Sequence, residues 1–180
     1  MSIQRLKQLL QAAVTEGEVV LSSGKTSDFY IDGRLVTLDP VGSLLAARAI
    51  LDAAKAAGAT AVGGPTVAAC PLVSAVGVLA AQEELPLKLF YVRSKAKGHG
   101  LQKAIEGPAL TAGDKALVVD DTMTSGGSLL RAVEQVRAET EAEVLGVLCL
   151  VDREEGGVER LEAAGIRCQT LFTRADLTQA

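Results

Sequence analysis

Tryptophan is absent from this chain and aromatic residues make up only 3% of it, so stacked rings cannot build its core. With 48% apolar residues, alanine, leucine and valine must fill that core instead. Histidine occurs once and cysteine three times, at positions 70, 149 and 168. Those cysteines are odd in number and lack zinc-site spacing, which points to reduced thiols in a cytosol rather than a disulfide scaffold. No apolar run approaches the roughly 20 residues that span a bilayer. The opening Met1-Ser2-Ile3-Gln4-Arg5-Leu6-Lys7 has no secretory apolar core, so a cytoplasmic protein without a membrane partner is expected. Positive charge is in deficit as well: 18 lysines and arginines face 22 acids, a net charge of −4 that argues against a nucleic-acid partner. Internal repeats, low-complexity tracts and linkers are missing too, so the 180 residues are expected to form one domain.

What is plentiful is glycine: 18 residues, above the usual share of about 7%, as several tight ligand loops require. Apolar spacing predicts a helix over 2–16 with Gly17 as its stop, then strands at 19–21 and 29–32 joined by a turn at Ser22-Ser23-Gly24. Asp39 and Pro40 read as the cap and first residue of a helix running to about Gly58. Beyond it, strands at 60–62, 87–92, 116–119, 144–151 and 167–172 alternate with helices at 71–82, 128–140 and 157–164. This alternation predicts an α/β fold, a mostly parallel central sheet flanked by helices.

The stretch that carries chemistry is Asp120-Asp121-Thr122-Met123-Thr124-Ser125-Gly126-Gly127-Ser128, between the apolar run 116–119 and a helical pattern. A loop of glycines and hydroxyls at a helix start is an anion cradle. Its backbone N–H groups face the ligand, the helix dipole favours negative charge, and the hydroxyls of Thr122, Thr124, Ser125 and Ser128 add donors. Two acids beside a phosphate would repel it unless they serve a sugar diol or a divalent cation on the same ligand. The bland alternative is a solvated Asp-Asp turn. Against it stands position: open α/β sheets bind ligands at the carboxyl ends of their strands.

A second stretch, 93–103, gathers Arg93, Lys95, Lys97 and Lys103 with the single histidine, His99, and is bracketed by Gly98, Gly100 and Gly107. Read functionally, it is a lid over a highly charged leaving group; read blandly, it is a solvated loop. Two tempting motifs fail. Ser23-Gly24-Lys25-Thr26 lacks the first glycine of a P-loop, since Val19 stands there, and Gly98-His99-Gly100 has Lys103 where a dinucleotide fingerprint needs its third glycine.

The 118–128 stretch resembles the signature of the type I phosphoribosyltransferases. The 93–107 stretch, 21–32, Val151-Asp152-Arg153 and 173–177 look like the orotate-specific branch of that family. The resemblance implies that fold, with residues 1–35 and the C-terminal segment forming a hood over the base. It also implies transfer of ribose 5-phosphate from phosphoribosyl pyrophosphate to orotate, with Mg²⁺ carried mainly by the substrate and no metal site of the protein's own. On that likeness Asp120 and Asp121 meet the ribose hydroxyls and 122–128 the 5′-phosphate. Arg93, Lys97 and His99 act at the pyrophosphate, Thr124 and Arg153 meet orotate, and the partner is a second copy in a homodimer with shared active sites. Three positions that are commonly basic in the family hold Ser22, Ala68 and Ser94 here. The rival readings are a phosphoribosyltransferase for another base and a non-catalytic sensor of phosphoribosyl pyrophosphate.

Overall fold

The computed structural model describes residues 2–20, 26–94 and 104–178. Among these residues five parallel strands form the centre: β3 (Ala61–Pro65), β4 (Lys88–Val92), β6 (Lys115–Met123), β7 (Glu143–Asp152) and β8 (Cys168–Thr173). A two-residue antiparallel strand, β5 (Ile105–Glu106), edges the sheet, whose order is β5-β4-β3-β6-β7-β8. From β3 the chain steps outward to β4, and from β6 it steps the other way to β7 and β8. Between β3 and β6 the winding therefore reverses, and the crevice at their carboxyl ends is where such sheets hold ligands.

Both faces of the sheet are covered. Within β6, Leu117 and Val119 join a cluster with helices α1 (Ile3–Ala12), α3 (Pro40–Ala57) and α4 (Ala69–Gln82). Their neighbours Ala116 and Val118 point the other way, into a cluster with α5 (Gly127–Glu139) and α6 (Gly157–Ala163). This two-residue period is what a strand buried on both faces dictates. The alanines of α3 let it lie close against its neighbours. Its start follows the sequence: the Asp39 carboxylate accepts from the N–H groups of Val41 and Gly42 at 3.0 and 2.7 Å, Pro40 opens the helix, and Gly58 closes it at φ 70°.

Some expectations are corrected. The first helix ends at Ala12, and a strand, β1 (Val14–Val20), begins two residues later and pairs antiparallel with β2 (Thr26–Ile31). Gly17 lies inside β1, where the pairing register shifts between Glu16 and Val19, so it marks a strand irregularity and not a helix stop. Strand β6 also runs on through Met123, four residues past its apolar core. Its partner β7 is one residue longer and keeps the ladder going to Met123 opposite Asp152. Three short elements carried no readable period: β5, α2 (Arg34–Thr37) and α7 (Arg174–Thr178). The expected turn at 22–24 lies outside the described residues. Around β1 and β2 the two ends of the chain meet: α1 packs on α7, and the Gln11 side-chain amide donates to the Leu177 carbonyl at 3.5 Å. None of the helices among the described residues is long and apolar enough to cross a membrane.

Candidate active site

Because β6 extends through the two acids, they leave it on opposite faces. Asp120 turns toward α5, where Ser128 Oγ donates to its carboxylate at 3.5 Å and the Asp121 N–H donates at 3.0 Å. Asp121 turns the other way, toward Gly33 at the end of the β1–β2 unit. A side chain at position 33 would collide with the Asp121 carboxylate, so only glycine lets the unit approach this closely. The Asp121 carboxylate also accepts from Thr122 N–H at 2.6 Å and from its hydroxyl at 3.1 Å. Asp120 and Asp121 are 4% and 5% exposed. Burial pushes the Asp120 carboxyl well above the usual carboxylate range, and the neighbouring Asp121 charge adds to the rise. Asp121 is raised as well, again chiefly by burial; the Thr122 hydrogen bonds oppose this, and Asp32 adds to the rise.

Beyond β6, residues 124–126 turn into α5. Gly126 holds the left-handed conformation at φ 69°, which frees the first N–H groups of the helix to face outward. The side chains of Ser125 and Ser128 are exposed and that of Thr124 half-buried. Met123, by contrast, puts its side chain into the apolar core at 2% exposure, and its carbonyl accepts from Arg153 N–H at 2.9 Å. Two cations that the sequence did not single out stand beside Gly127: the Nη1 atoms of Arg131 and Arg160. Arg131 lies one helical turn beyond Gly127, a spacing that was legible. Arg160 comes from α6 and had no local signal.

Across the crevice, the carboxyl end of β3 supplies Gly63-Gly64-Pro65-Thr66, with a cis peptide between Thr66 and Val67. Thr66, Tyr91, Arg93, Ser94 and Glu106 line a cavity of about 490 Å³. Thr66, Arg93 and Ser94 also line a neighbouring one of about 380 Å³, which reaches Ser128 and Arg131 of α5. Arg93 thus lies between the start of α5 and the outer edge of the sheet, its Nη1 donating to Glu106 at 3.1 Å. Lys97 and His99 lie outside the described residues.

Arg153, at the end of β7, is 7% exposed. Its Nη2 donates to the Phe29 carbonyl at 3.0 Å and pairs with the Glu155 carboxylate at 2.7 Å. The acid between Arg153 and Glu155 points elsewhere. The Glu154 carboxylate accepts from Ala175 N–H at 2.9 Å, tying this loop to α7. On Phe29 itself sits the Arg174 guanidinium, 5.1 Å from the ring centroid. Strand β2, the end of β7 and the C-terminal segment therefore converge on Arg153. The sequence flagged Arg153 by its place after a strong strand; its long-range partner, the Phe29 carbonyl, was invisible there.

The structure brings together the paired acids, the cradle at α5, the β3 end and Arg93 around one crevice, with Arg153 under the β1–β2 unit. Buried carboxylates beside an amide-rich anion loop, at a switch point of a parallel sheet, define a protein that handles a phosphorylated sugar. A model of the phosphoribosyl transferase domain matches residues 41–171. Over 174 residues the chain is 42% identical to an orotate phosphoribosyltransferase of Nostoc sp., covering 97% of this chain and 84% of the relative. A Streptomyces avermitilis orotate phosphoribosyltransferase is 43% identical over 173 residues, covering 96% and 94%. Among solved structures, Mycobacterium tuberculosis orotate phosphoribosyltransferase in complex with 5-phospho-alpha-D-ribosyl 1-diphosphate superposes with a TM-score of 0.79 at 33% identity, over 98% of this chain and 99% of that one. An adenine phosphoribosyltransferase of Leishmania donovani, at 17% identity and a TM-score of 0.68, shares the fold alone. The chain belongs to the orotate phosphoribosyltransferase family.

Proposed function

We propose that this protein transfers the ribose 5-phosphate group of phosphoribosyl pyrophosphate to orotate, giving orotidine 5′-phosphate and pyrophosphate. The observation that carries the reading is the pair Asp120 and Asp121 joined directly to an anion cradle at the β3–β6 switch point, in a chain 42% identical to an orotate phosphoribosyltransferase across nearly its whole length.

On this reading the N–H groups and hydroxyls of 122–128 hold the 5′-phosphate, with the Arg131 and Arg160 guanidiniums close by. Asp120 and Asp121 accept from the ribose hydroxyls, one from each face of β6. The anomeric carbon then sits above the crevice, with the pyrophosphate toward Thr66 and Arg93 and the base toward Arg153. The planar fork of Arg153 suits the orotate carboxylate, and the Thr124 hydroxyl completes the base site. As the bond to pyrophosphate breaks, negative charge grows on the leaving group, where Arg93, Lys97 and His99 stabilise it. Orotate's ring nitrogen is already acidic, so the site needs no strong base, and positioning carries most of the rate.

Among the described residues no group of three or more His, Cys, Asp or Glu side chains could hold a metal ion. The hard carboxylate oxygens of Asp120 and Asp121 nonetheless fit a Mg²⁺ ion that arrives with the substrate and keeps most of its ligands from phosphate, ribose and water. When bound, it would neutralise charge on the pyrophosphate. We extend the same reading to one domain whose residues 1–35 and C-terminal segment form a hood over the base, and to a cytoplasmic homodimer with shared active sites.

The test is base specificity. Purified protein, Mg²⁺ and phosphoribosyl pyrophosphate are incubated with orotate, adenine, hypoxanthine or uracil, and pyrophosphate release is followed. Release with orotate alone is expected. Turnover of another base in its place overturns the substrate, and no release with any base leaves a sensor.

A further inference from the structure

Arg93 is held by more than its own side chain. Its backbone N–H donates to the Ala104 carbonyl at 2.9 Å, and Val92 just before it pairs with Ile105 across the β4–β5 ladder. Ala104 and Ile105 are fixed in turn by a single side chain from the far end of α5. Both carboxylate oxygens of Glu139 accept from Ala104 N–H, at 2.9 and 3.0 Å, and one accepts from Ile105 N–H at 3.2 Å. The Gln135 side-chain amide, one turn earlier on α5, also donates to this carboxylate. Two consecutive backbone amides converging on one half-buried carboxylate make a built anchor, because charge-assisted bonds of this kind are stronger than neutral ones and fix direction.

The geometry points to Glu139 as a positioning residue for Arg93, acting through Ala104 and Ile105. This inference rests on the assignment of Arg93 to the pyrophosphate end of the site. Helix α5 begins at the phosphate cradle and ends at Glu139, a span of roughly 18 Å at 1.5 Å per residue. One rigid rod thereby ties the place where the 5′-phosphate is gripped to the backbone that sets the height of Arg93. Glu106 fixes the guanidinium from the side; Glu139 fixes the strand that carries it. A group that must meet charge growing on a leaving oxygen is sensitive to displacements well under an ångström, and the loss appears in the chemical step rather than in binding of the base.

The test is a mutant cycle on the intact protein with Glu139→Ala, Glu139→Gln and Arg93→Ala. Glu139→Ala is expected to lower kcat by about tenfold or more, with the KM for orotate within about twofold of the parent. Glu139→Gln keeps a carbonyl oxygen for the two amides and should recover most of that loss. In the Arg93→Ala background, Glu139→Ala should cost little more, because the two act as one unit. An unchanged kcat in Glu139→Ala overturns the inference; so does a glutamine variant as impaired as the alanine one, or a full additional loss on top of Arg93→Ala. The parent protein in the same assay separates this from the substrate assignment. Should it turn over a different base, the assignment to orotate falls, and the cycle is read with that base.

Discussion

At the scale of single residues, the proposed site is bought at the expense of stability. Asp120 is a nearly fully buried carboxylate whose partners are one backbone N–H and a distant hydroxyl, with a second acid next to it. Burial of such a charge is unfavourable by on the order of several kcal/mol unless it is paired, and the raised pKa is the same fact seen from the proton's side. The sign follows directly. A folded-state pKa above the unfolded value means the folded chain binds the extra proton, so stability is lost as pH rises above the ordinary carboxylate range. Asp120→Asn should therefore raise the melting temperature near neutral pH, by about 2–4 °C for each kcal/mol relieved, while lowering turnover severely. The gain should shrink toward pH 4 and below, where the parent carboxyl is itself protonated. Thermal melts at several pH values check it, and a variant that melts lower at neutral pH would mean that Asp120 has a compensating partner.

At the scale of elements, the β6–α5 connection, proposed above to grip the 5′-phosphate, depends on one backbone angle. Gly126 sits at φ 69°, and a side chain there would come within 2.9 Å of the Gly157 carbonyl. Gly126→Ala should destabilise the protein by about 1–2 kcal/mol and raise the KM for phosphoribosyl pyrophosphate more than that for orotate, because the first turn of α5 would have to shift. Steady-state kinetics with each substrate varied in turn, alongside a melt, tests both halves. An unchanged KM for phosphoribosyl pyrophosphate would remove this turn from the binding site. Elements with strong local punctuation were legible: α3 lies between its Asp39-Pro40 start and Gly58 just as its caps dictate. Gly17 misled because the same residue type marks a helix end and a strand irregularity, and only the pairing of β1 with β2 decides between them. The two-residue strand β5 and the short helices α2 and α7, of four and five residues, complete too little of their period to be read.

For the whole molecule, the two ends of the sheet have different roles. The carboxyl ends of the strands carry the crevice, and the opposite end is locked by Asp114. Its carboxylate pairs with Lys88 at the start of β4 at 2.7 Å and accepts from the N–H and hydroxyl of Thr111 and from the Thr60 hydroxyl just before β3. The Lys88 ammonium, followed by the Thr111 donors, lowers the Asp114 pKa to about 2. Here the folded-state pKa lies below the unfolded one of about 3.9, so the stabilisation is complete above that value and lost as pH falls toward about 2. Melting temperature should drop over that interval. Asp114→Asn should melt lower than the parent at neutral pH and show a shallower acid decline, with orotate kinetics at neutral pH unchanged, since the lock is at the far end of the sheet from the crevice.

By itself the sequence determined the chemistry of the cradle: two adjacent acids, a run of hydroxyls, and glycines where a strand hands over to a helix. Anion loops and helix caps are made from neighbouring backbone groups, so residues adjacent in the chain suffice to specify them. Tertiary structure alone decided that Asp120 and Asp121 diverge to opposite faces of a strand, because it is the length of β7 that keeps β6 extended past its apolar core. It alone placed the Phe29 carbonyl, 124 positions away, on Arg153, and Glu139 on an amide 35 positions away. Contacts of that range follow from the order in which strands pair, and that order is set by burial over the whole sheet rather than by any local pattern of residues.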